Sequence, residues 1–301
     1  MAKKKVLVSV LNYNKVQDTI ETIECFENQT YPDFDLQVID SASTNDCVSK
    51  LRKRFPDLKI ICLSENTGYT GGNNLALKIG LEKCYDYVLI SNNDVMFDKN
   101  MLSNLVDVAS SHPLSGVIGV IEQDYYTGEI RAIGGVGFNP LRGMGKWIET
   151  GSFGNKRIKV DYVQGAFLLF TRRALLSGLL FDNDLFMYCE EVDLGFQLKK
   201  KRLTAIVDTC QYIRHKSVLK KFSPFQGYYI QRNRLYLSRK YTPVYIYLLA
   251  VLYNALIELP IKVTIRSIQG HPYFAWACVL GFIDSLSGKM SIGRGFNLKS
   301  I

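Results

Sequence analysis

The chain has 301 residues, 47% hydrophobic and 22% charged, with a formal charge of +9. That balance is that of a globular and not a disordered chain, and the length suits one large domain or a domain with an appendage. Seven scattered cysteines without a CxxC pair indicate neither a structural zinc site nor a disulfide framework, and fit a reducing, cytosolic compartment.

The start, MAKKKVLVSVLNYN, has a charged end and a short apolar run that closes on polar residues. It reads as a first core strand over residues 5–11, not a signal peptide. Residues 16–26 carry helical spacing, with Ile20, Ile23 and Phe26 near one face. A second strand over 36–39 closes on Asp40, and Ser43 or Thr44 is placed to cap a helix reaching Phe55. A third strand spans 59–63. The loop SENTGYTGG then leads into a helix from Asn73 to Lys83. Its glycines match neither the dinucleotide fingerprint nor the P-loop. They would let a backbone approach a ligand ahead of a helix N-terminus, or simply make a turn.

YVLISNNDV supplies a fourth strand that stops at Ser91-Asn92-Asn93-Asp94. Ligands of open α/β sheets sit outside such strand ends, and a carboxylate flanked by amides suits a divalent cation. An ordinary Asn/Asp turn has the same composition. The repeated β-α order predicts an α/β fold with a mostly parallel central sheet and helices on both faces. A helix over 101–109 and a strand over 116–121 follow. Residues 125–159 are rich in glycine, aromatic and basic side chains without a period, and read as a hairpin-bearing insertion lining an acceptor site.

A buried strand over 163–171 and a short helix from Arg172 lead to CEEVDLGFQLKKK, a helix starting near Val192. Glu190, Glu191 and Asp193 crowd its N-terminus. The helix dipole favours acidic residues there, and mutual repulsion equally favours a raised pKa suited to a general base. Spacing alone leaves both readings open. After a short strand over 205–207 comes Arg214-His215-Lys216-Ser217, where flanking cations predict a neutral imidazole able to ligate metal.

Seven stretches now stand in order: Asn12-Tyr13-Asn14, Asp40, ENTGYTGGNN, SNNDV, GAFLLFTRRAL, LFMYCEEVDLGFQL and RHKS. Across residues 5–240 this set resembles the family 2 glycosyltransferases of GT-A fold, most closely the bacterial surface-polysaccharide branch with rhamnosyltransferase-like members. The resemblance implies an inverting transfer of a sugar from a nucleoside-diphosphate donor to a hydroxyl of a saccharide, often lipid-linked, acceptor. It implies Asp94 and His215 as ligands of a divalent cation, Mn²⁺ or Mg²⁺, with Asn92 and Asn93 in the DxD-type motif. Asn12, Tyr13, Asp40, Asn66, Gly71, Gly72 and Asn73 would face the donor. Glu191 would be the base, with Glu190 and Asp193 as alternates.

Residues 209–257 contain no Asp or Glu but hold Arg214, Lys216, Lys220, Lys221, Arg232, Arg234, Arg239 and Lys240. Such a cluster suggests an anionic partner. The apolar run 244–259 lies between Pro243 and Pro260 and is shorter than the roughly twenty residues of a spanning helix. With its tyrosines it reads as an interfacial helix on an anionic leaflet. The expected organisation is therefore a GT-A domain over 1–221 and a helical, membrane-associating region over 222–301, peripheral on the cytoplasmic face of the cell membrane. An oligomer is compatible with it. No nucleic-acid motif is present, so no nucleic-acid partner is expected. The competing readings are a sugar nucleotidyltransferase, which would carry a glycine-rich basic signature after its first strand, and a non-catalytic membrane or nucleic-acid binder.

Overall fold

The computed structural model describes residues 4–149, 156–216 and 222–293. Met1 to Lys3, residues 151–154 of the glycine-rich insertion, and Ser217, Lys220 and Lys221 of the basic run lie outside the described residues. Two compact units form: Met1–Val136, Trp147–Phe181 and Leu194–Ser217 make the first, and Gly137–Lys146, Asp182–Asp193 and Val218–Ile301 the second.

The first unit opens with β1 (Val6–Asn12), α1 (Val16–Glu27), β2 (Phe34–Asp40), α2 (Cys47–Arg54), β3 (Lys59–Cys62), α3 (Gly68–Glu82) and β4 (Tyr87–Asn92). It continues with β5 (Val95–Met96), α4 (Met101–Ser111), β6 (Ser115–Asp124) and β7 (Ile130–Ala132). The hairpin β8 (Gly134–Asn139) and β9 (Met144–Ile148) follows, its tip counted with the second unit. Then come β10 (Arg157–Val160), β11 (Phe167–Thr171), α5 (Arg172–Leu176), α6 (Glu190–Lys200), whose first turn up to Asp193 is counted with the second unit, and β12 (Thr204–His215).

The sheet order is β10-β12-β6-β11-β4-β1-β2-β3. The expected mostly parallel centre is there: β3, β2, β1 and β4 run parallel, as do β6 and β12, with β11 antiparallel between them. Val8, Val10, Leu89, Phe167 and Leu169 of the strands meet Ile23 and Phe26 of α1 and Leu102 and Leu105 of α4 in one apolar core. Phe26 stacks on Phe167 at 6.1 Å between ring centroids.

Four expectations are corrected. First, α3 starts at Gly68, so Gly71 and Gly72 lie inside the helix and not in a loop. A Cβ on Gly72 would come within 2.4 Å of Leu11 Cδ1, so the glycine lets α3 press onto β1. Second, α2 starts at Cys47 without a side-chain cap, because Ser43 and Thr44 bond back to Asp40 and Asn14 instead. Third, the last strand does not end at Val207. Its polar stretch is a bulge between Asp208 and Tyr212, beyond which pairing with β6 resumes up to His215.

The fourth correction lies in the second unit, whose helices are α7 (Pro224–Tyr241), α8 (Val244–Tyr253), α9 (Leu259–Ile268) and α10 (Pro272–Leu286). Pro260 does not end the apolar helix. A π turn over Asn254–Glu258, in which Leu259 N–H donates to Asn254 O, joins α8 to α9. A π turn changes the bonding pattern just where a proline has no donor to offer. The resulting helix, Val244–Ile268, runs 25 residues and is long and apolar enough to cross a membrane by length and composition.

In the same unit α7 is the buried element, with α10 against it through Gly227, Gly281, Ala277 and Cys278. Three members of the basic cluster are engaged there. Arg232 and Arg234 are buried, Arg234 forms a two-pronged pair with Glu258 at 2.8 and 3.0 Å, and Lys240 bridges Asp182 and Asp193. A charge count alone cannot separate buried, paired cations from a surface field.

Candidate active site

The carboxyl ends of three parallel strands set the site in the first unit. Register places Asn12 opposite Asp40 and Leu11 opposite Asn92. Asn12, wholly buried, donates to Asp40 Oδ1 at 2.6 Å and accepts at Oδ1 from Asn93 Nδ2 at 3.0 Å and Thr19 Oγ1 at 2.8 Å. Asn93 also donates to Thr19 Oγ1 at 2.9 Å. These side chains form a closed polar net that ties β1, β2 and β4 to α1 beneath the strand ends. Buried amides need such partners, since each one left unmade costs about 1–3 kcal/mol. Asp40 in addition accepts from Ser43 Oγ at 2.6 Å and Ser43 N at 2.9 Å.

Asp94 follows directly. Val95 and Met96 pair antiparallel with His215 and Arg214, and this short ladder brings the end of β12 to Asp94. His215 Nε2 stands 2.9 Å from Asp94 Oδ1, and Nδ1 stands 2.6 Å from Glu122 Oε1 on β6. Lys15 Nζ lies 3.3 Å from Asp94 Oδ2. Burial opposes the Asp94 charge, but His215 and then Lys15 outweigh it and hold the carboxyl below its usual value. Burial likewise opposes an imidazolium, yet Asp94 and Glu122 together raise His215 to about 9. The two carboxylates therefore favour the protonated ring where the flanking cations predict a neutral one, and a cation at Nε2 would have to displace that proton. Arg214 is turned to solvent and Lys216 pairs with Glu21, while two carboxylates face the ring.

A carboxylate oxygen and an imidazole Nε2 whose opposite nitrogen is fixed by a carboxylate make a chemically apt pair of ligands for a divalent cation. Among the described residues no group of three or more His, Cys, Asp or Glu is arranged to hold a metal ion. A cation there fits only the mode in which substrate phosphates complete the shell.

The loop residues lie alongside. Asn66 Oδ1 accepts from Gly68 N at 2.8 Å and starts α3, while Asn73 is buried in its second turn. Tyr13 is half-buried on the turn after β1. Ser41 Oγ, directly after Asp40, and Thr67 Oγ1, over Gly71, are buried without a hydrogen-bond partner among the described residues. Sequence reading missed Glu122, Lys15 and Ser41. Glu122 sits near the polar end of β6, between Ile121 and Gln123, and only the sheet order reveals what it faces.

The three acidic residues belong to the second unit. Glu190 is 5% exposed and its Oε2 lacks a partner among the described residues. Burial, then the charge of Glu191, then that of Asp193, push its carboxyl well above the usual value. Asp193 is fully buried and accepts from Lys240 Nζ and Tyr241 OH, both at 2.6 Å. Glu191 is half-buried between them in sequence.

A family described as glycosyl transferase family 2 matches residues 7–175. N-acetylglucosaminyl-diphospho-decaprenol L-rhamnosyltransferase of Mycobacterium tuberculosis is 26% identical over 206 residues, covering 59% of this chain. The chain spans 65% of that relative's length. Among solved structures, the mannosyltransferase PcManGT from Pyrobaculum calidifontis, in complex with GDP-Man and Mn²⁺, is 14% identical with a TM-score of 0.56, over 96% of this chain and 89% of its own. S. aureus TarS 1-349 is 17% identical with a TM-score of 0.53, over 99% and 75%. GalNAc-T7 with UDP, GalNAc and Mn²⁺ is 13% identical with a TM-score of 0.65, over 94% and 57%. At these identities the structural likeness is one of fold.

Proposed function

The chain belongs to glycosyl transferase family 2 and has the GT-A fold, and on that premise we propose that it transfers a sugar from a nucleoside-diphosphate donor to a hydroxyl of a saccharide or lipid-linked acceptor, with inversion, in surface-polysaccharide synthesis. The observation that carries the proposal is the Asp94–His215 pair, 2.9 Å apart at the carboxyl edge of the sheet. In this reading Asp94 and His215 hold a divalent cation, Mn²⁺ or Mg²⁺, with Glu122 fixing the imidazole. Such a cation supplies neutralisation of the charge that develops on the departing diphosphate. Asp40 and Tyr13 border the nucleobase, and Asn66, Gly71, Gly72 and Asn73 line the donor's path. Asn12, Asn92 and Asn93 shape the strand ends under it. Glu191 takes the acceptor proton. Burial and the neighbouring charges of Glu191 and Asp193 push the Glu190 carboxyl up, which favours Glu191 for that role, and Asp193 is engaged by Lys240 and Tyr241.

Nucleoside diphosphate release across a panel of nucleotide-sugars, with and without chelator, tests the reading. Release from one donor, abolished by chelator and by Asp94→Ala, is expected. Turnover unchanged by both would overturn the metal role. Release of pyrophosphate from sugar phosphate and nucleoside triphosphate would favour a nucleotidyltransferase instead.

The second unit we read as the membrane-associating region, peripheral on the cytoplasmic face. Support comes from the inverted polarity of the 244–268 helix. Asn254, Glu258 and Lys262 face inward: Asn254 donates to Leu141 O at 3.0 Å, and Glu258 pairs with Arg234 and Lys262. Outward stand Tyr245, Leu248, Leu252, Leu256, Ile261 and Ile265, each at least 45% exposed. A helix with its polar side docked on protein and its apolar side bare suits a position along a leaflet rather than across it. Flotation of the full chain with anionic vesicles is expected, and a protein that stays at the bottom of the gradient as a defined oligomer would assign that face to a second copy.

A further inference from the structure

We infer that one face of α7 is the positioning element for the carboxylates at the start of α6, with Asn233 and Arg232 as its main positioning residues. The inference rests on the reading of Glu191 as the base.

The segment before α6 holds an unusual backbone. Phe186, Tyr188 and Cys189 adopt φ of 62°, 68° and 67°, the left-handed region, and none is glycine. Such residues persist only where the surroundings over-determine them. The surroundings here are α7. Asn233 is wholly buried, and its one side-chain nitrogen donates to Leu185 O at 2.9 Å and to Met187 O and Tyr188 O at 2.8 Å. Its Oδ1 accepts from Arg232 Nε at 2.9 Å. Arg232, also wholly buried, donates through Nη2 to Asp184 O at 3.1 Å and Leu185 O at 3.0 Å, and through Nη1 to Ser291 O at 2.6 Å.

The ends of the segment are held from the same face. Tyr236 OH and Lys240 Nζ reach Asp182 Oδ2 at 2.7 and 2.5 Å, and Lys240 also reaches Asp193 Oδ1 at 2.6 Å. Positions 232, 236 and 240 recur every four residues, which puts them on one stripe of a helix. The stripe together with Asn233 thus grips residues 182, 184, 185, 187, 188 and 193 along the segment that carries Glu190 and Glu191.

Packing alone does not call for this arrangement. Apolar side chains would bury the same surface without bringing a permanent cation inside. Arg232 is enclosed by the Tyr228 and Tyr229 rings at 5.6 and 4.8 Å. Its hydrogen bonds to main-chain carbonyls fix direction, which dispersion contacts do not. A base works only when its carboxylate is aimed at the acceptor hydroxyl, and a displacement of about 1 Å costs roughly a hundredfold in rate.

The test is steady-state kinetics on the full chain with Asn233→Ala, Arg232→Lys and Tyr236→Phe, together with donor affinity measured by titration. Asn233→Ala and Arg232→Lys are expected to lower kcat about tenfold to a hundredfold. Tyr236→Phe, which loses one hydroxyl, is expected to lower it about threefold. Donor affinity should stay within about twofold in all three, a kcat-against-KM split that general loosening of the fold would not give. If Asn233→Ala does not fold, the other two variants carry the test, and wild-type kcat in both overturns the inference. Glu191→Gln run alongside separates the failures. If it is inactive while the α7 variants keep full kcat, the base reading stands and the positioning role falls. If Glu191→Gln keeps full kcat, the base reading fails and takes the inference with it.

Discussion

Glu190→Gln is the substitution that most sharply divides the acidic residues by role. Glu190 is 5% exposed, one of its oxygens lacks a partner among the described residues, and burial with Glu191 and Asp193 beside it pushes the carboxyl well above its ordinary value, toward the protonated form. Glutamine has the shape and neutrality of that protonated form. The variant is therefore expected to keep kcat within about threefold, whereas Glu191→Gln should lose about 10²–10⁴. Stability gives an independent sign. Below the unfolded value near pH 4.3, Glu190 is neutral in both states and contributes nothing to pH dependence. Above it only the unfolded chain ionises, so wild-type stability falls by about 1.4 kcal/mol per pH unit until the native carboxyl itself titrates. Glutamine lacks this contribution. Urea unfolding of both proteins at about pH 4 and about pH 7 should show equal stability at the first and a more stable variant at the second. A variant as inactive as Glu191→Gln, or one no more stable than wild type at neutral pH, would refute the reasoning.

Three further outcomes follow from the geometry. Glu122→Ala frees His215 Nδ1, and Mn²⁺ affinity followed by electron paramagnetic resonance should fall about tenfold to a hundredfold. Gly72→Ala puts a Cβ 2.4 Å from Leu11 Cδ1, and thermal unfolding should report a loss of about 1–3 kcal/mol as α3 is pushed from β1. Leu252→Asp with Leu256→Asp replaces two side chains that are 54% and 72% exposed. Flotation with vesicles should weaken by at least about tenfold, since each buried leucine contributes about 1.5–3 kcal/mol, while the unfolding midpoint stays put.

Much of the first unit was legible because its strands are short apolar runs that end on polar side chains. Asn12, Asp40 and Asp94 each close such a run, and parallel register brings the first two to one edge. The ordered motifs named the family. What escaped reading depended on distance in sequence. The partner of His215 is 93 residues away on β6, so its flanking Arg214 and Lys216 gave the wrong sign for its charge. Gly71 and Gly72 looked like a loop because propensity disfavours glycine in helices, and only the contact of α3 with β1 overrides that. Pro260 looked like a stop because a π turn has no sequence period of its own. Arg232 and Arg234 looked like surface charge because composition cannot register burial.

The bulge in β12 has a consequence for how the chain tolerates change in length. Asp208 pairs with Val120 and Tyr212 with Ile121, so residues 209–211 are extra chain between two consecutive rungs of the ladder. They act as slack. Losing or gaining a residue there alters the size of the bulge, while His215 still pairs with Val95 and Asp124. The same change two residues later, at Ile213 or Arg214, would shift the alternation and turn the imidazole to the opposite face of the sheet. The fold thus confines its tolerance for insertions to one side of a boundary three residues short of His215.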